Sequence, residues 1–339
     1  MTAGTAGPET LGSLTDEPPV DPNSKQAKEI SGKSPTRIAF DRLRKDPIAV
    51  VCIVVVLIFS LIAIFAGTLQ DLLGVSTATV RATDVIDPLT RLPLEGPPNG
   101  SIQADHPFGV APGNGTDNLA VWIEGCRTSL YLATVAATLS TVIGVTLGLI
   151  AGFMGGIVDT VISFVTDLFL TFPFLVMALA IAPILNDRFG DDTDKLKFAS
   201  FYSLVAILVV FGWMGVARLV RGEVLSLRER EFVKAARVIG VPTHRILIRE
   251  MLPNLIAPIV ISFSLGLPAY VAAEAGLSFL GIGVFGRESW GQTIAAATPW
   301  WERYPLYLLE PVLGIALLVV ALNLLGDAIR DAFDPKTRR

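Results

Sequence analysis

Residues 228–254 read REREFVKAARVIGVPTHRILIREMLPN, a basic, glycine-punctuated stretch set between two long apolar runs at residues 199–220 and 255–281. Residues 229–239 are compatible with one helix, Gly240 and Pro242 stop it, and a second short helical pattern ends at Leu252 and Pro253. At helical spacing Phe232, Ala235, Ala236 and Ile239 share one face, while Arg230, Lys234 and Arg237 share the other. Such a segment reads as a docking surface, small and apolar on one side and cationic on the other. A solvated charged loop would have no need of the apolar stripe.

The rest of the chain explains what this segment interrupts. Hydrophobic residues make up 52% of 339, charged residues only 17%, and the mean hydropathy is +0.58, so lipid must solvate most of the surface. Apolar runs long enough to cross a bilayer occupy residues 48–67, 129–151, 157–185, 199–220, 255–281 and 306–325. The expected fold is therefore all-α and polytopic, with six transmembrane helices. Pro173 and Pro183 interrupt the third run, and Pro258, Gly266 and Pro268 the fifth. Breaks of this kind persist where neighbouring helices or a wet cavity satisfy the freed backbone groups, and they point to a translocation path.

Lysine and arginine set the orientation. Arg37, Arg42, Arg44 and Lys45 precede the first run, eight cations lie between residues 218 and 249, and Arg330, Lys336, Arg338 and Arg339 follow the last. These segments belong in the cytoplasm, with both termini inside. The residue 71–128 loop, with three arginines against seven acids, belongs outside. The chain thus divides into a disordered cytoplasmic tail (1–36), the first spanning segment (37–70), an extracytoplasmic loop (71–128), a core of five further spans containing residues 228–254 (129–328) and a cytoplasmic tail (329–339). The first run has the character of an uncleaved anchor. Cys52 and Cys126 fall near opposite faces of the membrane, too far apart for a disulfide.

Several motifs are weaker than their patterns. Residues 27–34, AKEISGKS, resemble a phosphate loop but lack the preceding strand and the following helix that would aim backbone N–H groups at phosphate. Any ATP that powers the protein is bound by a partner. Asn99 and Asn114 begin glycosylation-type triplets that read as plain turns. With only His106 and His244, and no nucleophile or ligand cluster, metal and triad chemistry lack their parts, and nucleic acid has no platform. Gly144, Gly148 and Gly152 stack on one helix face and predict close helix packing. Asp167 and Glu274 are acids inside apolar runs; each reads either as lining of a substrate route or as interhelical glue. Asp159, at a helix start, is explained by the helix dipole.

Ala235, Ala236, Gly240, Leu252 and Pro253 together resemble the EAA loop of the permease subunits of ABC importers. The chain is most similar to the C-type subunit of dipeptide and oligopeptide permeases. Further blocks carrying this resemblance are residues 42–47 (RLRKDP), 106–109 (HPFG), 217–225 (ARLVRGEVL), 277–283 (LSFLGIG), 289–291 (SWG), 323–327 (NLLGD) and 330–335 (RDAFDP). The resemblance implies six spans of the type I importer fold with short cytoplasmic coupling helices, in a bacterial plasma membrane. It further implies a homologous second permease, two cytoplasmic ATPase subunits that bind the ATP and magnesium, and an extracytoplasmic substrate-binding protein that largely selects the peptide. No cofactor is then held by this chain, and no catalysis is expected of it. ATPase coupling would fall to Arg230, Glu231, Lys234, Ala235, Ala236, Arg237, Gly240, Leu252 and Pro253. Two departures stand out. Lys234 occupies the position of the motif's glutamate, with Glu231 about one turn earlier as the candidate substitute, and the Gly-Arg-Asp that usually follows the 106–109 block is missing. The competing reading is a stand-alone secondary transporter, which would want an internal repeat with matching broken helices. Breaks in the third and fifth runs are visible; a repeat is not.

Overall fold

The computed structural model describes residues 35–78, 85–94, 105–187 and 192–334. Residues 1–34 of the expected tail, with the phosphate-loop-like residues 27–34, the Asn99 triplet and the last five residues lie outside them, while Pro35 and Thr36 begin a helix. Among the described residues the architecture is entirely helical, with isolated bridges at Ile86–Pro93 and Val110–Asp117 in place of strands. Five helical segments, Pro47–Ile64, Asn118–Met154, Thr193–Leu227, Thr243–Phe279 and Pro305–Phe333, are long and apolar enough to span, and a bent pair brings the total to six.

Local sequence sets these boundaries. A short helix α1 (Pro35–Leu43) leads to α2 (Pro47–Ile64), where the Asp46 side chain accepts from the Ile48 N–H at 2.9 Å and Pro47 occupies the first turn. After α3 (Ala66–Leu73), helix α4 (Asn118–Met154) is capped by Asp117, which accepts from the Ala120 N–H at 2.9 Å. The cap starts α4 eleven residues before the expected span, so residues 118–128 are helix and not loop.

The third span is two arms, α5 (Gly156–Thr171) and α6 (Phe174–Asp187). They are bent by 87° at Phe172, whose extended backbone suits a residue before proline. Pro183 lies inside α6 without ending it. The fourth is also interrupted, between α7 (Thr193–Val210) and α8 (Trp213–Leu227), at Phe211–Gly212. Lys195 and Lys197, just ahead of the expected 199–220 run, belong to α7.

Helix α9 (Glu231–Val238) follows, and the fifth span then departs from expectation. Thr243–Arg245, a π-helical stretch Ile246–Met251, a 3-10 turn Leu252–Leu255 and α10 (Ile256–Phe279) run on without a break, straight through Pro258, Gly266 and Pro268. Pro253 lacks an N–H and crowds the carbonyl four residues back, and the widened π turn before it absorbs that conflict within the helix. A short α11 (Trp290–Ala297) precedes α12 (Pro305–Phe333).

Close backbone approach holds the centre together. A Cβ on Gly148 would stand 2.7 Å from the Ala217 carbonyl oxygen and 2.8 Å from the Val220 Cβ, and Gly144 and Gly152 meet Val216 and Val224 in the same way. The glycine stripe of α4 is therefore the seat of α8. The first span is pinned through Phe59 to Trp290, Leu318 and Leu322, leaving Val51 and Ile64 on its outer face. At one end, the Arg42 guanidinium donates to the Ala332 and Asp334 carbonyls at 3.1 and 2.9 Å. At that end too, Arg228 donates to the Gly152 carbonyl at 3.1 Å. The α1 and α12 ends, the 155–156 turn and residues 228–255 share one end of the bundle.

Candidate coupling surface and translocation site

Helix α9 owes its shape to its ends. Glu231 sits in the first turn, where the dipole favours an acid, and Arg237 in the last, where it favours a base. Gly240 adopts φ +79°, and the Gly240 and Val241 N–H groups donate to the Arg237 and Ala236 carbonyls, both at 3.0 Å. This is a left-handed C-terminal cap, which glycine adopts without strain. No atom lies within 4 Å of where a Gly240 side chain would begin.

The apolar surface of α9 is wider than one stripe. Val233 and Ala236 face inward, buried with Leu149, Phe153, Val220, Ile246, Met251 and Leu255. Full burial of a valine is worth about 1.5–3 kcal/mol, enough to fix so short a helix on the bundle. Phe232, Ala235 and Ile239, expected on the same face as Ala236, point away from the chain, joined by Val238 and Ile248. Ile239 is 78% exposed and Val238 87%. The sequence stripe is thus split into a buried edge that anchors and an exposed edge that is free to be covered. Among the cations, Arg237 lies over the Phe153 ring, 4.4 Å from its centroid. The Lys234 ammonium stands 3.2 Å from Glu229 Oε2 and, by that bond, holds the Glu229 carboxyl below its ordinary range. Glu231 and Arg230 are exposed, as is Pro253, while Leu252 is half-buried and packs beneath α9.

Two of the helix interruptions converge elsewhere, against the unbroken α10. Phe174 at the α5–α6 bend, Phe211 and Gly212 at the α7–α8 break, and Gly266 and Tyr270 before and after Pro268 line one largely apolar cavity of about 360 Å³. Discontinuous helices meeting within the spanning layer are where irregular backbone can line a path.

The two intramembrane acids have different surroundings. Asp167 Oδ1 accepts from Arg218 at 2.6 Å, and both side chains are exposed on the surface of the chain, beside a cleft of about 530 Å³. Glu274 is wholly buried and accepts from the Ser278 hydroxyl at 2.8 Å, with the Ser129 and Ser289 hydroxyls beside it. It lines neither of the two cavities above and sits where α4, α10 and the cap of α11 meet. Asp159 does more than meet a helix dipole: both nitrogens of the Arg221 fork bond it, one at 2.8 Å, and Ser163 is within 3.3 Å. Arg218 and Arg221, three residues apart at the end of an apolar run, share a face of α8, but nothing in the sequence aimed that face at α5. The Phe211–Gly212 break carried no comparable mark.

A bundle of bent and unbroken apolar spans with an exposed helical foot is that of a multi-pass membrane protein. Residues 144–339 match the model of the binding-protein-dependent transport system inner membrane component, and residues 34–76 that of the N-terminal TM domain of oligopeptide transport permease C. The dipeptide transport system permease protein DppC of Alkalihalophilus pseudofirmus is 34% identical over 326 residues, covering 96% of this chain and 97% of that protein. The oligopeptide transport system permease protein OppC of Bacillus subtilis is 30% identical over 324 residues, 95% and 97% of the two chains. A chain of the MetNI methionine ABC transporter, in an inward-facing conformation, aligns with TM-score 0.50 and 19% identity over 64% of this chain and 97% of its own, a likeness of fold. The chain belongs to the family of binding-protein-dependent transport system inner membrane components and has the type I ABC importer permease fold.

Proposed function

We propose that this chain is one of two homologous permease subunits of an ATP-driven importer of di- and oligopeptides in a bacterial plasma membrane, with both termini in the cytoplasm. Its partners are the second permease, two cytoplasmic ATPases and an extracytoplasmic peptide-binding protein; ATP and magnesium are held by the ATPases. The observation that carries the reading is the exposed edge of α9, apolar through Phe232, Val238 and Ile239 and flanked by Arg230 and Arg237, on a helix whose opposite edge is fixed to the spans. Peptides enter the reading through the names of the relatives, dipeptide and oligopeptide permeases aligned over almost the whole chain.

Mechanically, the ATPases approach one another on binding ATP and carry α9 with them as a rigid body. The unbroken helix Thr243–Phe279 passes that displacement into the fifth span, and the cavity at the converging breaks alternates its opening. This chain itself performs no hydrolysis.

Co-expression with the ATPases, the second permease and the binding protein supplies the test. The complex should co-purify, hydrolyse ATP faster in the presence of peptide-loaded binding protein, and accumulate peptide in liposomes. Transport by the purified single chain on an ion gradient alone would refute the assignment.

A further inference from the structure

At the end of the bundle away from residues 228–255, two arginines from distant parts of the chain meet in one cleft. It holds about 550 Å³ between α2 and α4, bordered by Ser60 and Ile64 of α2, by Arg127, Tyr131 and Thr134 of α4, and by Arg287 from the loop before α11. Its depth follows from α2. That helix starts directly after the charged Arg44, Lys45 and Asp46, and its 18 residues rise about 27 Å. Ser60 and Ile64 therefore lie at the far edge of a hydrocarbon layer about 30 Å thick. Aromatic rings mark the same level: Tyr131 stacks on Phe201 with centroids 5.7 Å apart, and Tyr202 and Phe198 stand beside them.

The two cations keep unspent donors. Arg127 approaches Glu124 at 3.7 Å, beyond hydrogen-bond length, and its side chain is 52% exposed. The Arg287 guanidinium lies over the Phe201 ring, 5.9 Å from its centroid, and makes no ion pair or side-chain hydrogen bond among the described residues. No acid borders the cleft: Glu124 and Glu288 stand outside it, and Asp194 lies 3.9 Å from Lys197. Toward the middle of the layer its walls become apolar. Leu57 and Leu61 share the exposed face of Ile64 on α2, while Thr138 and Val142 continue the exposed line of Arg127, Tyr131 and Thr134 on α4. Thr138 returns its hydroxyl to the Thr134 carbonyl at 2.7 Å, so its donor is already spent within the helix.

We propose that this cleft binds an anionic glycerophospholipid of the leaflet at that end, the Arg127 and Arg287 guanidiniums holding its phosphate and the exposed faces of α2 and α4 its acyl chains. Only the membrane-spanning fold is required, not the importer reading. Charge and depth select the occupant. Guanidinium N–H groups match phosphate oxygens in pairs, and two cations around one phosphodiester favour a headgroup with no cation of its own. A soluble anion would leave the apolar walls beneath it unfilled.

The test uses the purified full chain in detergent, with phosphatidylglycerol as the probe and bound lipid counted by native mass spectrometry. Phosphatidylglycerol should bind about tenfold more tightly than phosphatidylcholine, and R127Q and R287Q should each weaken it about tenfold, the scale of one charge-assisted bond. R303Q removes an exposed arginine at the same end but outside the cleft, and should change nothing. Thr134→Trp keeps both cations and fills the cleft, so it should weaken binding as much, and it decides the matter should an arginine variant fail to fold. Equal binding of the two lipids by the parent chain, equal weakening by R303Q, or undiminished binding in Thr134→Trp would overturn the proposal. Displacement of the lipid by inorganic phosphate would make this a free-anion site and overturn it too. The count is repeated on the complex with the second permease, the ATPases and the binding protein; lipid lost on assembly would make the cleft a subunit contact and refute it equally.

Discussion

Gly240 is chosen by backbone, and its neighbourhood gives that choice a second use. Its φ of +79° makes any side chain strained, at about 1–2 kcal/mol for alanine. The space around it is open, so bulk there meets nothing in this chain. Gly240→Ala should therefore insert into the membrane and retain substrate-stimulated ATP hydrolysis, while Gly240→Trp should insert equally well and lose that stimulation. ATPase assays on the assembled complex separate the two, and full stimulation in the tryptophan variant would remove Gly240 from the docking face. Glu274 poses the opposite case, a buried acid whose surroundings are serines. Glu274→Gln keeps a hydrogen-bonding oxygen for Ser278 and should be well tolerated. Glu274→Leu strips the serines of their partner and should cost about 1–3 kcal/mol, read as a lowered midpoint of thermal unfolding in detergent.

Among the elements, α4 and α8 owe their contact to the absence of three side chains. At Gly148 a methyl group would collide with the Ala217 carbonyl, part of a helix backbone that cannot turn aside. Gly148→Ala should destabilise the protein by about 1–3 kcal/mol, the usual cost of overpacking. Gly215 and Gly222, on α8 with nothing near their Cβ positions, should accept alanine without loss. A thermal-shift series on the three variants decides it; equal midpoints would mean that the spans tolerate separation. This seat was legible because spacing alone places residues 144, 148 and 152 on one face. The split of the α9 stripe was not, since periodicity reports which residues share a face and says nothing of which edge of that face the bundle covers. The proline positions misled in the fifth span for a related reason. Pro268 marks where a helix loses a hydrogen bond, but whether it bends there depends on the neighbours that brace it, and α10 is braced along its length by α4 and α12.

Taken whole, the molecule is a set of levers with one stiff member. Number and order of the spans could be read from hydropathy, and so could the polar segment between the fourth and fifth; the pairing of Asp159 and Asp167 with arginines some fifty to sixty residues onward could not, because it depends on how α5 folds back along α8. The same is true of the continuity from Thr243 to Phe279, which Leu252 and Pro253 appeared to divide in sequence. That continuity has a mechanical consequence. Because the helix is unbroken, a displacement at Ile246 or Ile248 reaches Tyr270, on the cavity wall, with no joint to dissipate it. Two glycines inserted after Asn254 would create such a joint, since glycine surrenders the conformational restriction that a helix needs to transmit force. The expected outcome is uncoupling: ATP hydrolysis continues near its basal rate, the complex still assembles through the untouched face of α9, and peptide uptake per ATP falls severalfold or more. Inserting two alanines at the same place keeps the helix but rotates α10 by about 200° relative to the coupling segment, so it should impair assembly and not coupling. An unchanged transport-to-hydrolysis ratio in the diglycine variant would show that motion reaches the spans by another route, of which the apolar cluster that Val233 shares with Val220 and Val224 is the structural alternative.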